Sequence, residues 1–183
     1  MDFIENFTIP FHNIQIDNWS TKKRKLLEIC NSLSQLKIHT SSQFSYGDPL
    51  SKVYSDYYKN YNYTHQVFEI LQDDLNNFSN KIQTSCSLDN VWFQRYTKGN
   101  FHTPHDHGSI GYSSICFIEY DENEHNPPRF LCPFKSVHGN CMEYSPDNVT
   151  EGTMIFFPSM LIHYVVPTTS DKIRTIMSMN IGI

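Results

Sequence analysis

The chain has 183 residues, a length typical of a single domain with a sizeable core. Its 14 Lys and Arg against 19 Asp and Glu give a net charge of −5, which disfavours binding to the phosphates of nucleic acids. The mean hydropathy is −0.47 and no long apolar run occurs, so no membrane span is predicted. No signal-peptide pattern begins the chain, and the odd number of cysteines, five, favours reduced thiols and a cytoplasmic location.

Residues 1–89 carry two helical patterns. Apolar residues recur with a 3.6-residue period from Leu26 to Leu36, behind a basic run at 22–25 that we expect to face solvent. A second pattern begins at Thr64, a candidate N-cap, and continues to Ile82. The polar, tyrosine-rich stretch 41–63 between them is predicted to be irregular, with one short helix at most. We interpret residues 1–89 as a helical support region.

From residue 90 the pattern changes to short β-rich runs separated by turn residues. The sequence predicts six strands, at 91–96, 101–107, 113–120, 153–157, 162–166 and 173–181. Many short strands without long helices between them are typical of a sandwich or a jelly-roll barrel. The stretch 121–151 is predicted to be a long loop, of the kind that forms lids or binding surfaces. One domain over 1–183 is therefore expected, mainly β with N-terminal helices (α+β), with its core at 90–183.

Three histidines fall within six residues, at His102, His105 and His107. On a strand, residues i and i+2 project to the same face, so His105 and His107 can direct two imidazoles at one metal ion while Asp106 points away. The alternative is a set of solvated or core histidines. A third ligand must come from a distant strand, and His163 is the candidate because it follows an apolar strand and turn at 152–159.

A basic residue and a tyrosine are predicted to share this site. If 167–172 is a hairpin turn, Val165 opposes Arg174, and Arg174 lies diagonal to His163 at about 7–8 Å. A guanidinium buried near a metal requires an anion, and its planar fork suits a carboxylate. If 97–100 is a turn, Tyr96 opposes Phe101 and shares a face with His105. Its hydroxyl can then bind the same carboxylate, and the alternative is a buried tyrosine that bonds a backbone group.

These residues resemble the 2-oxoglutarate/Fe(II)-dependent dioxygenases. Arg95-Tyr96-x-x-Gly99 followed by His105 is similar to the RYxxGxxYxxHxD motif of the prolyl-4-hydroxylase-like branch, and His163 and Arg174 reproduce its H-x10-R spacing. The similarity covers about 91–181 and is greatest to the small bacterial and phage-encoded oxygenases. The location expected for a phage-encoded member is the host cytoplasm.

The resemblance implies a double-stranded β-helix, or jelly-roll, with supporting helices, and a hydroxylase that uses Fe(II), 2-oxoglutarate and molecular oxygen. It implies that His105 and His163 hold the metal, that Arg174 and Tyr96 bind the C5 carboxylate of 2-oxoglutarate, and that Ser178 and, more weakly, Asn180 line the pocket. The expected substrate is a small molecule or a peptide, with a peptidyl or amino-acid side chain as the first hypothesis. No nucleic acid or membrane partner is expected.

The sequence departs from the family pattern at one position, because His107 stands where the family has Asp. With His105 and His163 it predicts a neutral three-histidine set in place of two histidines and a carboxylate. Two alternatives therefore stay open: a cupin-like three-histidine iron dioxygenase that does not use 2-oxoglutarate, and a non-catalytic metal- or ligand-binding module. A separate zinc site from Cys116, Cys132, His138 and Cys141 is a minor hypothesis, since their spacing contains no C-x-x-C pair.

Overall fold

The computed structural model describes residues 9–33, 37–39, 52–57 and 62–183. The described part contains two α-helices, α1 (Trp19–Ser32) and α2 (Thr64–Ile82). The remaining elements are eleven strands: β1 (His12–Gln15), β2 (Lys37–His39), β3 (Val53–Ser55), β4 (Ser87–Tyr96), β5 (His102–His105), β6 (Tyr112–Glu119), β7 (Arg129–Lys135), β8 (Cys141–Tyr144), β9 (Thr153–Pro158), β10 (His163–Val165) and β11 (Arg174–Gly182). Neither helix is long and apolar enough to cross a membrane.

The strands form two antiparallel sheets. The large sheet has the order β1-β9-β6-β11-β4-β3-β2, and the small sheet has the order β5-β10-β7-β8. The large sheet is therefore centred on β11, which pairs with β4 on one side and with β6 on the other. The mainly β class predicted from the sequence is confirmed, although β1, β2 and β3 in the first part of the chain were not predicted.

Two apolar cores lie on opposite faces of the large sheet, and the two-residue period of its strands separates them. Met177 and Met179 of β11 join the core shared with α1 and α2. Ile176, which immediately precedes Met177 on β11, joins the second core, which also contains Phe130 of β7 and Val165 of β10 in the small sheet. The molecule thus has three layers: helices, large sheet and small sheet.

Two predicted strand pairings are wrong. The sequence predicted that 162–166 pairs with 173–181 across a hairpin, but β10 pairs with β5 and β7, and β11 pairs with β4 and β6. Tyr96 was predicted to oppose Phe101, but it opposes Arg174, and Phe101 bridges Lys52. Each of the two connecting turns crosses from one sheet to the other, which short-range turn chemistry does not distinguish from a hairpin.

Backbone hydrogen bonds join the turn between β4 and β5 to the turn between β10 and β11. The Gly99 N–H donates to the Thr168 carbonyl at 2.8 Å, and the Thr168 N–H donates to the Asn100 carbonyl at 2.9 Å. Gly99 has φ +78°, a conformation that residues with a Cβ rarely adopt, which explains the glycine at the end of the Arg95-Tyr96-x-x-Gly99 motif. The crossings bring the ends of β4 and β11, where Tyr96 and Arg174 lie, to the same edge of the molecule.

The predicted loop at 121–151 is also wrong in part, because it contains the hairpin of β7 and β8. The sequence did not predict these strands because β7 contains Pro133 and all four residues of β8 are exposed, so neither shows the pattern of a buried strand. Among the helices, α2 has the predicted extent, but Tyr63 and not Thr64 occupies its N-cap, without a side-chain hydrogen bond. The helix α1 ends at Ser32, and the predicted Leu36 and most of 41–63 fall outside the described residues.

Phe78 attaches α2 to the large sheet. Its side chain is fully buried and stacks on Phe156 of β9, with ring centroids 3.9 Å apart and planes within 5°. We expect Phe78→Ala to lower the free energy of unfolding by about 3–5 kcal/mol through lost burial and a residual cavity. Urea denaturation followed by circular dichroism measures the free energy of unfolding. The control Phe134→Ala, at a side chain 52% exposed, should change it by less than about 0.5 kcal/mol. A loss below about 1 kcal/mol for Phe78→Ala would contradict this role of α2.

Candidate metal centre and anion-binding pocket

Two histidines lie directly opposite each other in the small sheet. His105 at the end of β5 pairs in register with His163 at the start of β10, and their ring centroids are 4.4 Å apart. Residues in such a cross-strand pair have Cβ atoms about 5 Å apart, so antiparallel pairing alone brings these side chains together. The register explains why histidines far apart in sequence meet at one point.

His107 reaches the same point from just beyond the end of β5. Its backbone N–H donates to the Ser159 carbonyl at 2.9 Å, and its ring lies 5.2 Å from that of His105 and 5.1 Å from that of His163. Asp106 is exposed, and its carboxylate accepts a hydrogen bond from the Gly108 N–H at 3.0 Å. The prediction that His107 turns inward and Asp106 outward is therefore consistent with the structure.

Backbone carbonyls fix the tautomers of two of these rings. His105 Nδ1 lies 2.7 Å from the Thr103 carbonyl oxygen, and His163 Nδ1 lies 3.0 Å from the Leu161 carbonyl oxygen. A carbonyl only accepts, so each Nδ1 carries the proton and donates it, which leaves the lone pair on Nε2. Metal-binding histidines typically donate the N–H of one ring nitrogen in this way, which orients the other nitrogen for the metal.

Burial keeps the three imidazoles neutral. Desolvation is the largest cause of a lowered pKa at all three: the pKa of His105 falls, that of His107 falls to about 4, and that of His163 falls well below its usual value. Repulsion among the rings adds to the effect at His107 and His163. At neutral pH each ring therefore offers a lone pair, which is the form that binds metals.

The donor set fits a divalent transition metal. One potential ligand atom from each of His105, His107 and His163 lies within 4.8 Å of the others, and no second group of this kind occurs among the described residues. Imidazole is a common ligand of iron, nickel, copper and zinc, so the set alone does not select one of them. No carboxylate belongs to the group, and the nearby Asp106 acts on His105 and His107 only through its charge.

The large sheet supplies the opposite wall of the pocket. Three consecutive cross-strand pairs of β11 and β4 face the histidines: Arg174 with Tyr96, Ile176 with Gln94, and Ser178 with Trp92. Of these, all but Arg174 line the pocket directly, together with the three histidines and His102. The empty volume is about 270 Å³, part of which is open to solvent. We call the three pairs the pocket floor.

Arg174 lies at one end of the pocket floor and is only 2% exposed. Its guanidinium lies over the Tyr96 ring at 4.0 Å, and Nη1 donates to the Asn126 carbonyl at 2.6 Å. Nε and Nη2 of Arg174 and the hydroxyl of Tyr96 are buried without hydrogen-bond partners. Burial raises the pKa of Tyr96 to about 12 against the opposing effect of Arg174, so the phenol keeps its proton. This end of the pocket thus presents unpaired donors, which fit a carboxylate.

A polar network crosses the middle of the floor. The Ser178 hydroxyl donates to Gln94 Oε1 at 3.1 Å, and Gln94 Nε2 lies 3.4 Å from His102 Nδ1. The His102 ring is 4.0 Å from that of His105. This network connects a predicted pocket residue, Ser178, to the histidine cluster through Gln94, a residue that the sequence did not single out.

The structure places the predicted site residues as follows. His105, His107, His163, Tyr96 and Ser178 line one pocket, and Arg174 contacts it through Tyr96. Asn180 does not line this pocket, although its Oδ1 is buried without a partner.

The four residues of the minor zinc hypothesis are not brought together as a metal-binding group within the described residues. Cys116 is buried in the core on the helix side of the large sheet, whereas Cys141 is exposed on β8 in the small sheet. The large sheet itself lies between them.

Sequence reasoning missed two contributors to the site. Gln94 shares the strand parity of Tyr96, so that parity could have identified it. The Asn126 carbonyl that holds Arg174 is a backbone group, and no side-chain pattern indicates it.

Comparison with known proteins locates the resemblance in the same region. Residues 90–180 match the model of a family described as "Putative 2OG-Fe(II) oxygenase". No curated protein matches the chain significantly in sequence.

Solved structures resemble almost the whole chain. The viral collagen prolyl hydroxylase of Paramecium bursaria Chlorella virus-1, in its 2OG complex, is 14% identical with a TM-score of 0.60, over 94% of this chain and 96% of that one. A prolyl-4-hydroxylase of Pseudomonas putida is 11% identical with a TM-score of 0.59, over 96% and 94%. The α-ketoglutarate-dependent epimerase SnoN of nogalamycin biosynthesis is 8% identical with a TM-score of 0.68, over 94% and 77%. At these identities the likeness is one of fold.

The lowered histidine pKa values predict how stability depends on pH. Because the folded pKa of His107, about 4, lies below the ordinary value of 6.5, the unfolded chain binds more protons between these pH values. The metal-free protein should therefore lose stability as the pH falls from about 6.5 towards 4. Urea unfolding in the presence of a chelator measures this, and His107→Gln should reduce the slope. The exposed His65 provides the control variant His65→Gln, and an equal reduction in both variants would contradict the assignment.

Proposed function

Because the chain belongs to the superfamily of 2-oxoglutarate- and Fe(II)-dependent oxygenases, we propose that it is a hydroxylase whose iron is held by His105, His107 and His163. In this proposal Arg174 and Tyr96 bind the far carboxylate of 2-oxoglutarate, and Ser178 lines the metal end of the pocket. Bound together, iron and 2-oxoglutarate supply the oxidative chemistry by which molecular oxygen hydroxylates a C–H bond of a second substrate as 2-oxoglutarate is decarboxylated to succinate.

One observation carries the proposal: Tyr96 and the metal-binding cluster line the same pocket, and Arg174, with unpaired donors of its own, lies directly against the Tyr96 ring. Nε and Nη2 are adjacent on one edge of the Arg174 guanidinium, and both lack partners, as does the Tyr96 hydroxyl. A carboxylate accepts two parallel hydrogen bonds from such an edge. A dicarboxylate with a metal-chelating group at its other end satisfies both parts of the pocket at once.

The surroundings of Arg174 hold it ready for this role. The Asn126 carbonyl binds Nη1 and the Tyr96 ring supports the guanidinium plane, so Nε and Nη2 stay directed away from these contacts. Burial lowers the pKa of Arg174, but from so high a value that the group remains charged at neutral pH. Its charge is therefore available to the ligand without competition from a protein carboxylate among the described hydrogen bonds.

Further observations support the proposed substrate, cellular location and fold. A peptide or amino-acid side chain is the expected substrate because two of the similar structures are prolyl hydroxylases, although a small molecule fits the superfamily equally well. The five cysteines are all free, which fits a reducing cytoplasm. The two sheets and the helices packed on the large one fit a double-stranded β-helix, with residues 1–89 as support and 90–183 as the core of one domain.

The absence of a carboxylate ligand favours one alternative. A three-histidine iron dioxygenase that binds its substrate directly to the metal explains His107 without 2-oxoglutarate. It explains the unpaired donors of Arg174 and Tyr96 only if that substrate is itself a carboxylate. A metal- or ligand-binding module without catalysis is the third reading.

An anaerobic titration tests the proposed function. Adding Fe(II) and then 2-oxoglutarate to the metal-free protein should produce the visible charge-transfer band of the chelate, and air should then release succinate. Arg174→Ala should weaken 2-oxoglutarate about 100-fold, because removing one partner of a buried charge pair costs about 2–5 kcal/mol, with Fe(II) affinity unchanged.

Arg95 provides a matched control for that variant, because it opposes Thr175, in the pair next to Arg174 and Tyr96. Arg95→Ala removes an arginine that contacts Asn31 and Thr175 on the helix face of the large sheet, and it should leave the band unaltered. Tight metal binding without any band in the wild type would reject the use of 2-oxoglutarate. Unchanged 2-oxoglutarate affinity in Arg174→Ala would reject the role of Arg174.

His107→Asp distinguishes the alternatives. The substitution restores two histidines and one carboxylate, so a protein built for 2-oxoglutarate should retain the chelate band and gain succinate release per unit time. A three-histidine dioxygenase should instead lose activity, because the added negative charge competes with its anionic substrate at the metal. If the substitution changed neither metal affinity nor turnover, residue 107 would not be a ligand of the ion. Exposed His138→Asp serves as the control for an added carboxylate.

A further inference from the structure

The pocket floor is longer than the cosubstrate. Trp92 and Tyr96 are four residues apart on β4, so the two ends of the floor are about 13 Å apart at 3.3 Å per residue. Four C–C bonds of about 1.5 Å place the two carboxyl carbons of 2-oxoglutarate about 5 Å apart at most. A cosubstrate held by Arg174 is therefore shorter than the floor even when its terminal oxygens are counted, and the Trp92 end is left for another molecule.

Trp92 lies beside the metal-binding cluster at this second end. Its ring centroid is 5.4 Å from that of His107, with the planes tilted by 37°. The residue is 4% exposed, yet it lines the pocket. A group that rests on Trp92 thus lies next to the histidine cluster, at the end of the floor opposite Arg174.

The pocket offers no charge to a ligand at this end. No carboxylate, ammonium or guanidinium group is found among the described residues that line it: Trp92, Gln94, Tyr96, His102, His105, His107, Ile115, His163, Val165, Ile176 and Ser178. The nearby cation, Arg174, lies behind Tyr96 at the opposite end. A charged group brought to Trp92 would lose its hydration without gaining a partner, which is costly.

An aromatic surface continues from Trp92 towards solvent. Tyr57 packs edge-on against Trp92, with centroids 5.0 Å apart, and it is 52% exposed. Aromatic rings of this kind contribute a large, rigid, apolar contact area at small cost in conformational entropy. An apolar group that contacts Trp92 can therefore also pack near the Tyr57 ring.

We propose that Trp92 is the specificity-determining residue for the second substrate, and that it receives an uncharged, apolar side chain or ring. The inference rests on the proposed function, because it assumes that 2-oxoglutarate occupies the Arg174 half of the floor. It goes beyond that function by stating the chemical class of the group that reaches the metal.

The test uses Trp92 itself as the probe. The chain has two tryptophans, so Trp19→Phe, a change on α1, leaves Trp92 as the only one. This protein, loaded with redox-inert Zn(II) and 2-oxoglutarate, is titrated with N-acetyl-leucinamide, N-acetyl-lysinamide and the α-amide of N-acetylglutamate. The leucine probe should change the Trp92 fluorescence saturably, and both charged probes should bind at least about 10-fold more weakly.

A variant series separates specificity from folding. Measured by saturation-transfer NMR in the otherwise wild-type chain, Trp92→Ala should weaken the leucine probe about 10-fold or more, whereas Trp92→Phe should retain most of its affinity. The affinity for 2-oxoglutarate should stay within about threefold in both variants, which a general structural defect would not allow. If Trp92→Ala does not fold, the inference is tested by the probe affinities of Trp92→Phe and by the fluorescence titrations of the Trp19→Phe protein.

Three results would overturn the inference. Equal binding of the charged probes would reject the uncharged class, and unchanged leucine-probe affinity in Trp92→Ala would reject the role of Trp92. A leucine probe without saturable binding up to about 10 mM, with 2-oxoglutarate bound, would reject the site itself. Failure of wild-type protein to bind 2-oxoglutarate is a different result, and it would contradict the proposed function.

Discussion

The structure depends on one constraint, the burial of both faces of the central strand β11. Its side chains alternate between the helix layer and the pocket, so Met177 and Met179 complete an apolar core while Arg174, Ile176 and Ser178 form part of the pocket floor. A shift of one residue in the pairing of β11 would exchange these two sets, placing a guanidinium among the helices and methionines beside the histidines. The register that buries the core is therefore the same register that builds the site.

The site itself is maintained at a cost to stability. Its histidines are held neutral by desolvation, and Arg174 is buried with two nitrogens unpaired. Protein interiors rarely leave such groups without partners, and they do so where a ligand completes them. The surrounding residues carry the compensation: Phe130 and Phe157 pack against His163, with ring centroids 5.4 and 4.9 Å away. This apolar packing contributes stability that offsets part of the cost of burying polar groups without partners.

Sequence reasoning identified the strands and the site residues better than their connections. Two-residue alternation was sufficient to direct His105 and His107 to one face, whereas Tyr96 and Arg174 lie near them through a pairing of β4 with β11 that the sequence did not predict. The predicted pairing of the strands was wrong because turns such as 97–100 and 167–172 look alike in sequence whether they join neighbouring strands or cross between sheets. The β7–β8 hairpin escaped notice because its exposed residues lack the apolar alternation of a buried strand. Trp92 and Gln94 shared the correct parity, but parity alone does not show which inward residues meet a ligand.

The two ends of the pocket are supported by different sheets. His105 and His163 belong to the small sheet, and Arg174 and Tyr96 belong to the large one. A ligand bound both at the histidines and at Arg174 would contact both sheets. Its length would then influence the distance between the sheets, which are otherwise joined by side-chain packing and crossing turns. Binding and sheet spacing are then mechanically linked, and a substitution in the intervening core, at Phe157 for example, can alter ligand recognition without contacting the ligand.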